Sequence, residues 1–232
     1  MSEERTLVIE CPKCHAHLEY DIIDCIDSEM DAFHKLSLMN QKLFEVKCPH
    51  CQVLSDFYYD FVYRDRARKT LIYFVQEDRA EGVAIAIMLN RKMAEADGTR
   101  DYDKQIRVVS NLDVLIEKIN ILDNGLDDRV VEIMKLMCMS NAIEELKELD
   151  PQEIYYVNRN GEHSLELHGT NGAAISVFPD GMYNDIVDDF ADVIENCECV
   201  FVDYNWAANV IKAEWGDTEE EDEEDEDPDD EE

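Results

Sequence analysis

Four cysteines stand in two matching motifs, Cys11-Pro12-Lys13-Cys14 and Cys48-Pro49-His50-Cys51. A Cys-x-x-Cys turn sets two sulfurs on one side of a metal ion, and two such turns complete the tetrahedron of soft ligands that zinc takes up. Proline at the second position fixes φ and shapes the knuckle, leaving backbone N–H groups to point at the thiolates. The pattern predicts one zinc ion held by Cys11, Cys14, Cys48 and Cys51. Four thiolates leave no open position for water, so the ion is read as structural rather than catalytic. His15, His17 and His50 stand beside the knuckles. They are read as polar knuckle residues, with exchange for a cysteine ligand as the alternative.

The rival chemistry is redox. A Cys-Pro-x-Cys motif at a helix N-terminus has its first thiol activated by the helix, as in glutaredoxin-like enzymes. Here strand-like patterns follow both motifs, and there are two copies, so metal binding is preferred. The other cysteines, Cys25, Cys138, Cys197 and Cys199, show no second pair of partners and are read as small buried hydrophobes.

Arg64, Arg66, Arg68 and Lys69 form a basic cluster beside Tyr58, Tyr59 and Tyr63. One reading is a nucleic-acid contact with aromatics for stacking. The preferred one is a solvated hairpin tip that offsets acidic neighbours. Asp123, Asn124, Asp127 and Asp128 lack the spacing of a calcium loop and are read as helix-terminal residues. Asp188, Asp189 and Asp192 are read as a solvated helix face. The chain has no glycine-rich phosphate loop, no His-Glu-x-x-His and no Ser-His-Asp signature. This leaves no positive case for an enzyme and does not exclude one.

The 232 residues are 45% hydrophobic, enough for a sizeable core, and 33% charged. Fifty-six acids face 21 bases, a net charge of −35. The last 16 residues hold 14 of those acids and no base, which leaves −21 on the first 216. A body so charged repels phosphate backbones and anionic membranes and suits basic partners. No apolar run approaches the ~18 residues that span a bilayer. The start of the chain is polar, so a cytosolic protein with reduced thiols is expected.

The cysteine knuckles need strands to carry them. Thr6–Glu10, His17–Ile26 and Leu43–Lys47 read as strands, and Ser28–Gln41 as a helix capped by Ser28 with Met30, Phe33 and Leu36 or Leu38 on one side. Phe57–Tyr63 and Thr70–Val75 read as a hairpin. Asp78–Ala96, Leu112–Leu122 and a segment from Asp127 that extends toward Leu149 read as helices, with Ile106–Val109 as a strand. Beyond Pro151, strands are predicted at Ile154–Val157, Ser164–Leu167, Ala174–Phe178 and Cys199–Tyr204. Helices are predicted at Asp180–Glu195 and Trp206–Ala213. Asn160-Gly161 signals a tight turn.

The twin Cys-Pro-x-Cys motifs resemble the CpXC family, a bacterial and archaeal domain named for that pair. The stretches Arg107–Ile119 and Gly125–Lys135 resemble its helical part, so the resemblance covers roughly 7–140. It implies membership without implying an activity. Many zinc ribbons carry glycine after the second cysteine of a knuckle; His15 and Gln52 stand there instead. The expected fold is α+β: a zinc-ribbon-like antiparallel part with an inserted helix, then a helical segment, then a smaller α+β module. The expected domains are residues 1–150 and 151–214, followed by a disordered acidic tail over 215–232. The function expected first is a noncatalytic zinc protein that contacts another macromolecule, most simply a protein. The alternatives are an enzyme with its site in a cleft against residues 152–213, and nucleic-acid binding through the Arg64–Lys69 turn.

Overall fold

A computed structural model of the chain describes residues 4–99, 101 and 104–216, the side chains of residues 141–145 excepted. The acidic tail, from residue 217 on, lies outside the described residues. The elements run β1 (Glu4–Glu10), β2 (His17–Ile23), β3 (Cys25–Asp27), α1 (Ala32–Met39), β4 (Glu45–Lys47), β5 (Leu54–Asp56), β6 (Phe61–Asp65) and β7 (Thr70–Phe74). Then follow α2 (Glu77–Ala96), β8 (Gln105–Val109), α3 (Leu112–Asp123), α4 (Asp128–Glu145), β9 (Pro151–Arg159), β10 (Glu162–Gly169) and β11 (Gly172–Val177). The last are α5 (Asp180–Asp189), α6 (Ala191–Asn196) and α7 (Tyr204–Trp215). The fold is mixed α+β.

The central sheet has the order β3-β6-β7-β8, with β3 parallel to β6, β6 antiparallel to β7, and β7 parallel to β8. Alternation along β6 and β7 buries Phe61 and Tyr63 with Ile72 and Phe74 on one face. Leu115, Ile119 and Leu122 of α3 cover that face. Ala84 and Ile87 of α2 pack near the β8 end, with Val75, Val108 and Val200. Parallel neighbours need crossovers. Helix α2 supplies one, between β7 and β8. The other, between β3 and β6, holds α1 and the β4–β5 hairpin.

The antiparallel sheet β11-β10-β9 is closed at one turn by Asn160 and Gly161, whose φ values of 56° and 89° suit a two-residue hairpin. Its inner residues Ile154, Tyr156, Leu165 and Leu167 share a core with Val130, Val131, Ile133 and Met134 of α4 and with Ile186, Phe190, Ala207 and Val210. Strand β11 is an edge. It carries no charge, and its Ile175 and Val177 are 64% and 84% exposed.

Several sequence expectations change. The strand over His17–Ile26 breaks at Asp24, where the chain leaves β1 and joins β6. The helix expected from Ser28 begins at Ala32. The Ser28 amide donates to the Arg64 carbonyl (2.8 Å) and so extends the sheet instead of capping a helix. Met30, Phe33 and Leu36 are consequently exposed, and Leu38 alone of α1 is buried. The helix expected over Asp180–Glu195 divides at Phe190, whose ring is drawn into the core. Helix α4 ends at Glu145, and the turn after it is stitched to the β10–β11 loop by Asn171 N–H to Leu149 O (3.3 Å) and Thr170 N–H to Asp150 O (3.2 Å). That approach is close: a Cβ on Gly169 would lie 2.1 Å from the Leu149 oxygen.

Cys199–Tyr204 is not a strand. One backbone bond joins it to β8, from Val108 N–H to Val200 O (2.9 Å). The Cys199 and Val202 carbonyls are taken instead by Arg107 (3.2 Å) and Lys118 (2.8 Å). These two cations belong to a buried network. Arg107 grips Asp128 with two bonds of 2.7 and 2.8 Å, and Lys118 donates to the same carboxylate at 3.0 Å. Lys135 donates to Glu117 (2.9 Å) and Glu132 (3.2 Å), and Glu117 accepts from the Tyr156 amide (2.6 Å). Burial disfavours the charged form of Asp128, but Arg107 and then Lys118 outweigh it and hold the carboxyl far below its usual range.

Removing one partner of such a set leaves buried charge uncompensated. Asp128→Asn is expected to destabilise the protein by about 3–5 kcal/mol in urea unfolding at neutral pH. A depressed carboxyl pKa contributes stability above the unfolded value of about 3.9 and loses it as pH falls below. The gap between wild type and Asp128→Asn should therefore narrow as pH drops below about 4.

Candidate metal centre

Each knuckle sits at the tip of a two-stranded antiparallel hairpin. Glu10 pairs with His17 across one loop, and Lys47 with Leu54 across the other. Both loops are therefore six residues long and share one bonding scheme. The Cys11 amide donates to Ala16 O (2.9 Å) and the His15 amide to Cys11 O (3.0 Å). The Cys48 amide donates to Val53 O and the Gln52 amide to Cys48 O, both at 2.9 Å. His15 and Gln52 have φ values of 58° and 62°, so each adopts the left-handed turn that glycine makes most easily. The knuckle forms without glycine at some backbone cost.

The two tips face each other over a small core of Ile9, Leu18, Cys11 and Cys48, with Val46, Val53 and Phe57 alongside. Cys11 and Cys48 are buried, Cys51 is half-buried and Cys14 is exposed. All four sulfurs lie within 4.8 Å of one another, a group that could hold a metal ion. Cys11 Sγ is 3.7 Å from Cys51 Sγ, and Cys14 Sγ is 3.6 Å from Cys48 Sγ. A disulfide would require about 2.05 Å. A zinc–sulfur bond of about 2.3 Å sets the edge of a regular tetrahedron at about 3.8 Å. The donor set therefore fits a tetrahedral thiolate-binding ion.

Charge within the cluster gives the same fit. Amide N–H groups of Cys14 and then Lys13 favour the Cys11 thiolate, lowering its pKa to about 6 against burial. At Cys14 the Ala16 amide pulls the same way, but burial and the three neighbouring sulfurs outweigh it and push the thiol up to about 12. Four close sulfurs cannot all ionise unless a cation lies among them.

No histidine enters the group. His15 turns outward and bonds Glu10 (2.6 Å). Of the other cysteines, Cys199 is exposed, contrary to the buried reading, and Cys25, Cys138 and Cys197 are half-buried. Among the described residues, no other group of three or more metal-ligating side chains assembles.

The basic turn is more than a solvated tip. Arg64 and Arg66 both donate to the buried Asp27 carboxylate (2.9 and 2.6 Å), and Arg68 donates to the buried Asp65 (2.8 Å). Tyr59 and Tyr63 are buried, which leaves Tyr58 as the exposed ring of the three. Asp127 does terminate a helix, accepting from the Arg129 amide (2.9 Å). Asp128 opens α4, as the helix-end reading expects, but it is buried, and its carboxylate is also the centre of the charged network. The Asp188, Asp189 and Asp192 side chains are exposed, as expected.

A cleft lies between α3, α4, β9 and the start of α7. One cavity of about 420 Å³ is lined by Glu132, Lys135, Met139, Ile154, Tyr155 and Tyr204. A second of about 430 Å³, lined by Asn111, Lys118, Phe201 and Val202, shares Val114 and Asp203 with it. The buried Lys118, Glu132 and Lys135 are engaged with the network, and neither cavity is lined by histidine or cysteine. Burial pushes the Glu117 carboxyl up against the pull of Lys135. Arg107, Glu117, Lys118, Glu132 and Lys135 were not singled out as charged residues by the sequence. Lys118 had one signal: it shares the apolar face of Leu115, Ile119 and Leu122 at helical spacing.

The fold and site define an α+β protein that carries a closed cluster of four cysteines on two hairpin tips. The sequence profile of the CpXC protein family matches residues 9–135, more than half of the chain. The chain belongs to that family. No curated protein and no solved structure gives a match. No helix among the described residues is long and apolar enough to cross a membrane.

A left-handed turn costs an ordinary L-residue about 1–2 kcal/mol, part of which glycine returns through its freer unfolded chain. Gln52→Gly is expected to keep the metal stoichiometry and raise the thermal midpoint slightly. Gln52→Val should lower the midpoint, because a β-branched residue fits the left-handed turn worse than Gln and cannot replace the bond from Gln52 Nε2 to Pro49 O (3.0 Å).

Proposed function

We propose that the protein is a noncatalytic zinc-binding module whose ion staples two hairpins into a zinc-ribbon-like unit, and that it acts by contacting another protein. The observation that supports the zinc assignment is the cluster of four sulfurs, two of whose separations, 3.6 and 3.7 Å, match the edge of a zinc–thiolate tetrahedron. Cys11, Cys14, Cys48 and Cys51 would hold the ion, which supplies structural cross-linking and leaves no vacant position for a substrate. Such a site needs reduced thiols, which the cytosol provides. The net charge of −35 favours a partner with a basic surface. Nucleic-acid binding is not assigned, because Arg64, Arg66 and Arg68 are paired with Asp27 and Asp65.

The enzyme reading has two observations in its favour: the cleft between α3, α4 and β9, and a cavity of about 240 Å³ against α3 and β9–β10 lined by Glu117, Glu166 and His168. Against it, the buried cations there donate to carboxylates and carbonyls of the protein itself.

Metal analysis should find one zinc per chain, lost in Cys48→Ser. Hydrogen exchange should then show loss of protection over residues 4–75, with β9–β11 retained. Chelation that leaves stability and exchange unchanged would remove the structural role. Affinity capture with the full chain should recover one specific partner, displaced by added salt; turnover of a substrate in the α3–α4–β9 cleft would instead favour the enzyme.

A further inference from the structure

Helix α2 is apolar on two faces, and the described residues cover only one. Ala80, Val83, Ala84 and Ile87 turn inward to Val75, Val108 and Val200. On the other side Ile85, Met88, Leu89 and Met93 are 54%, 54%, 56% and 64% exposed. These residues follow a register. Gly82, Ile85, Leu89, Lys92 and Ala96 recur at intervals of three and four, the seam of a helix pair, with Met88 and Met93 flanking it. A helix with apolar residues on both faces is normally buried on both.

Gly82 is a second, independent sign. Glycine inside a helix weakens it. Here the helix itself gains nothing in return, since a Cβ at this position would meet nothing within 4 Å. What glycine permits is close approach by something outside the chain. The last 16 residues offer no chemical match to this apolar face, since 14 of them are acids.

We propose that this face of α2 pairs antiparallel with α2 of a second copy of the chain. The seam is self-complementary in that orientation. A twofold axis crossing near residue 87 stacks Ile85 on the other copy's Leu89. It also lays the Lys92 stem across the other copy's Gly82, with its ammonium beside Glu81, and does so twice by symmetry. A parallel pair would instead set Lys92 on Lys92 and Glu81 on Glu81. The interface is mainly apolar, with two Lys92–Glu81 pairs at its ends, while each chain carries a net charge of −35. Salt should therefore strengthen the dimer by screening the overall repulsion, opposite to its effect on a basic partner.

The pairing is independent of the metal and is tested by sedimentation of the full-length chain at micromolar concentrations, in low and high salt. A monomer–dimer equilibrium is expected, with the dimer tighter in high salt. Leu89→Asp should weaken it about tenfold or more, without lowering the thermal midpoint at dilutions where both proteins are monomeric, since the residue is exposed in the monomer. Gly82→Leu should weaken the dimer while raising helix stability. Glu81→Lys and Lys92→Glu should each weaken it, and the two together should restore it. A monomer under all conditions, or a dimer that Leu89→Asp and Gly82→Leu leave intact, would overturn the proposal. Failure of the double charge exchange to restore association would overturn the antiparallel arrangement.

Discussion

A single carboxylate holds the two sides of this molecule in register. Asp128 opens α4, yet it is buried, and it accepts from Arg107 on β8 and Lys118 on α3. The same two cations reach past it to the carbonyls of Cys199 and Val202. The central sheet, both long core helices and the segment leading into α7 therefore meet at one group. An apolar cluster in this place would tolerate sliding; a fully bonded carboxylate fixes direction as well as distance. The neighbouring set of Glu117, Lys135 and Glu132 extends the arrangement to β9 through the Tyr156 amide. All six of these charges belong to the two stretches that carry the second part of the family resemblance.

The cysteine cluster solves a different problem. The β4–β5 hairpin lies inside the crossover that joins the parallel neighbours β3 and β6, and β1–β2 precedes that crossover in the chain. Both hairpins are two-stranded, and such hairpins are marginal by themselves. Bringing four sulfurs together ties the crossover to the start of the chain. The small core around Ile9, Leu18 and Phe57 then needs to supply only part of the stabilisation.

Much of this was legible in the sequence where local chemistry decides. The cysteine spacing located the cluster, and alternation or helical spacing located β7, α2, α3 and the β9–β11 meander; the strand expected over Phe57–Tyr63 shares only residues 61–63 with β6 (Phe61–Asp65). It failed where a distant partner decides. Nothing near Ser28 announces that its amide will bond Arg64, so the start of α1 and the exposure of Phe33 were misjudged. Cys199–Tyr204 has strand composition, but its carbonyls are claimed by side chains about 80 to 90 residues earlier. Asp128 looked like an ordinary helix-end acid because its two partners lie on separate elements. At His15 and Gln52, side-chain type gave no sign of the left-handed turn that the paired hairpins impose.

The edge of the three-stranded sheet gives the chain's acidity a further meaning. Strand β11 has no lysine, no proline and no bulge along its free side, and its outward isoleucine and valine are bare. Such an edge is a template on which a second strand can grow, and proteins usually blunt it locally with a charge or a kink. Here the defence is global. Molecules that all carry a strong negative charge repel one another, so an edge-to-edge contact through β11, with no buried seam or opposite charge to offset that repulsion, is disfavoured without any residue dedicated to guarding it. The surface charge is thus a colloidal property with a structural duty: it sets the ionic strength and acidity at which this protein keeps its sheet to itself.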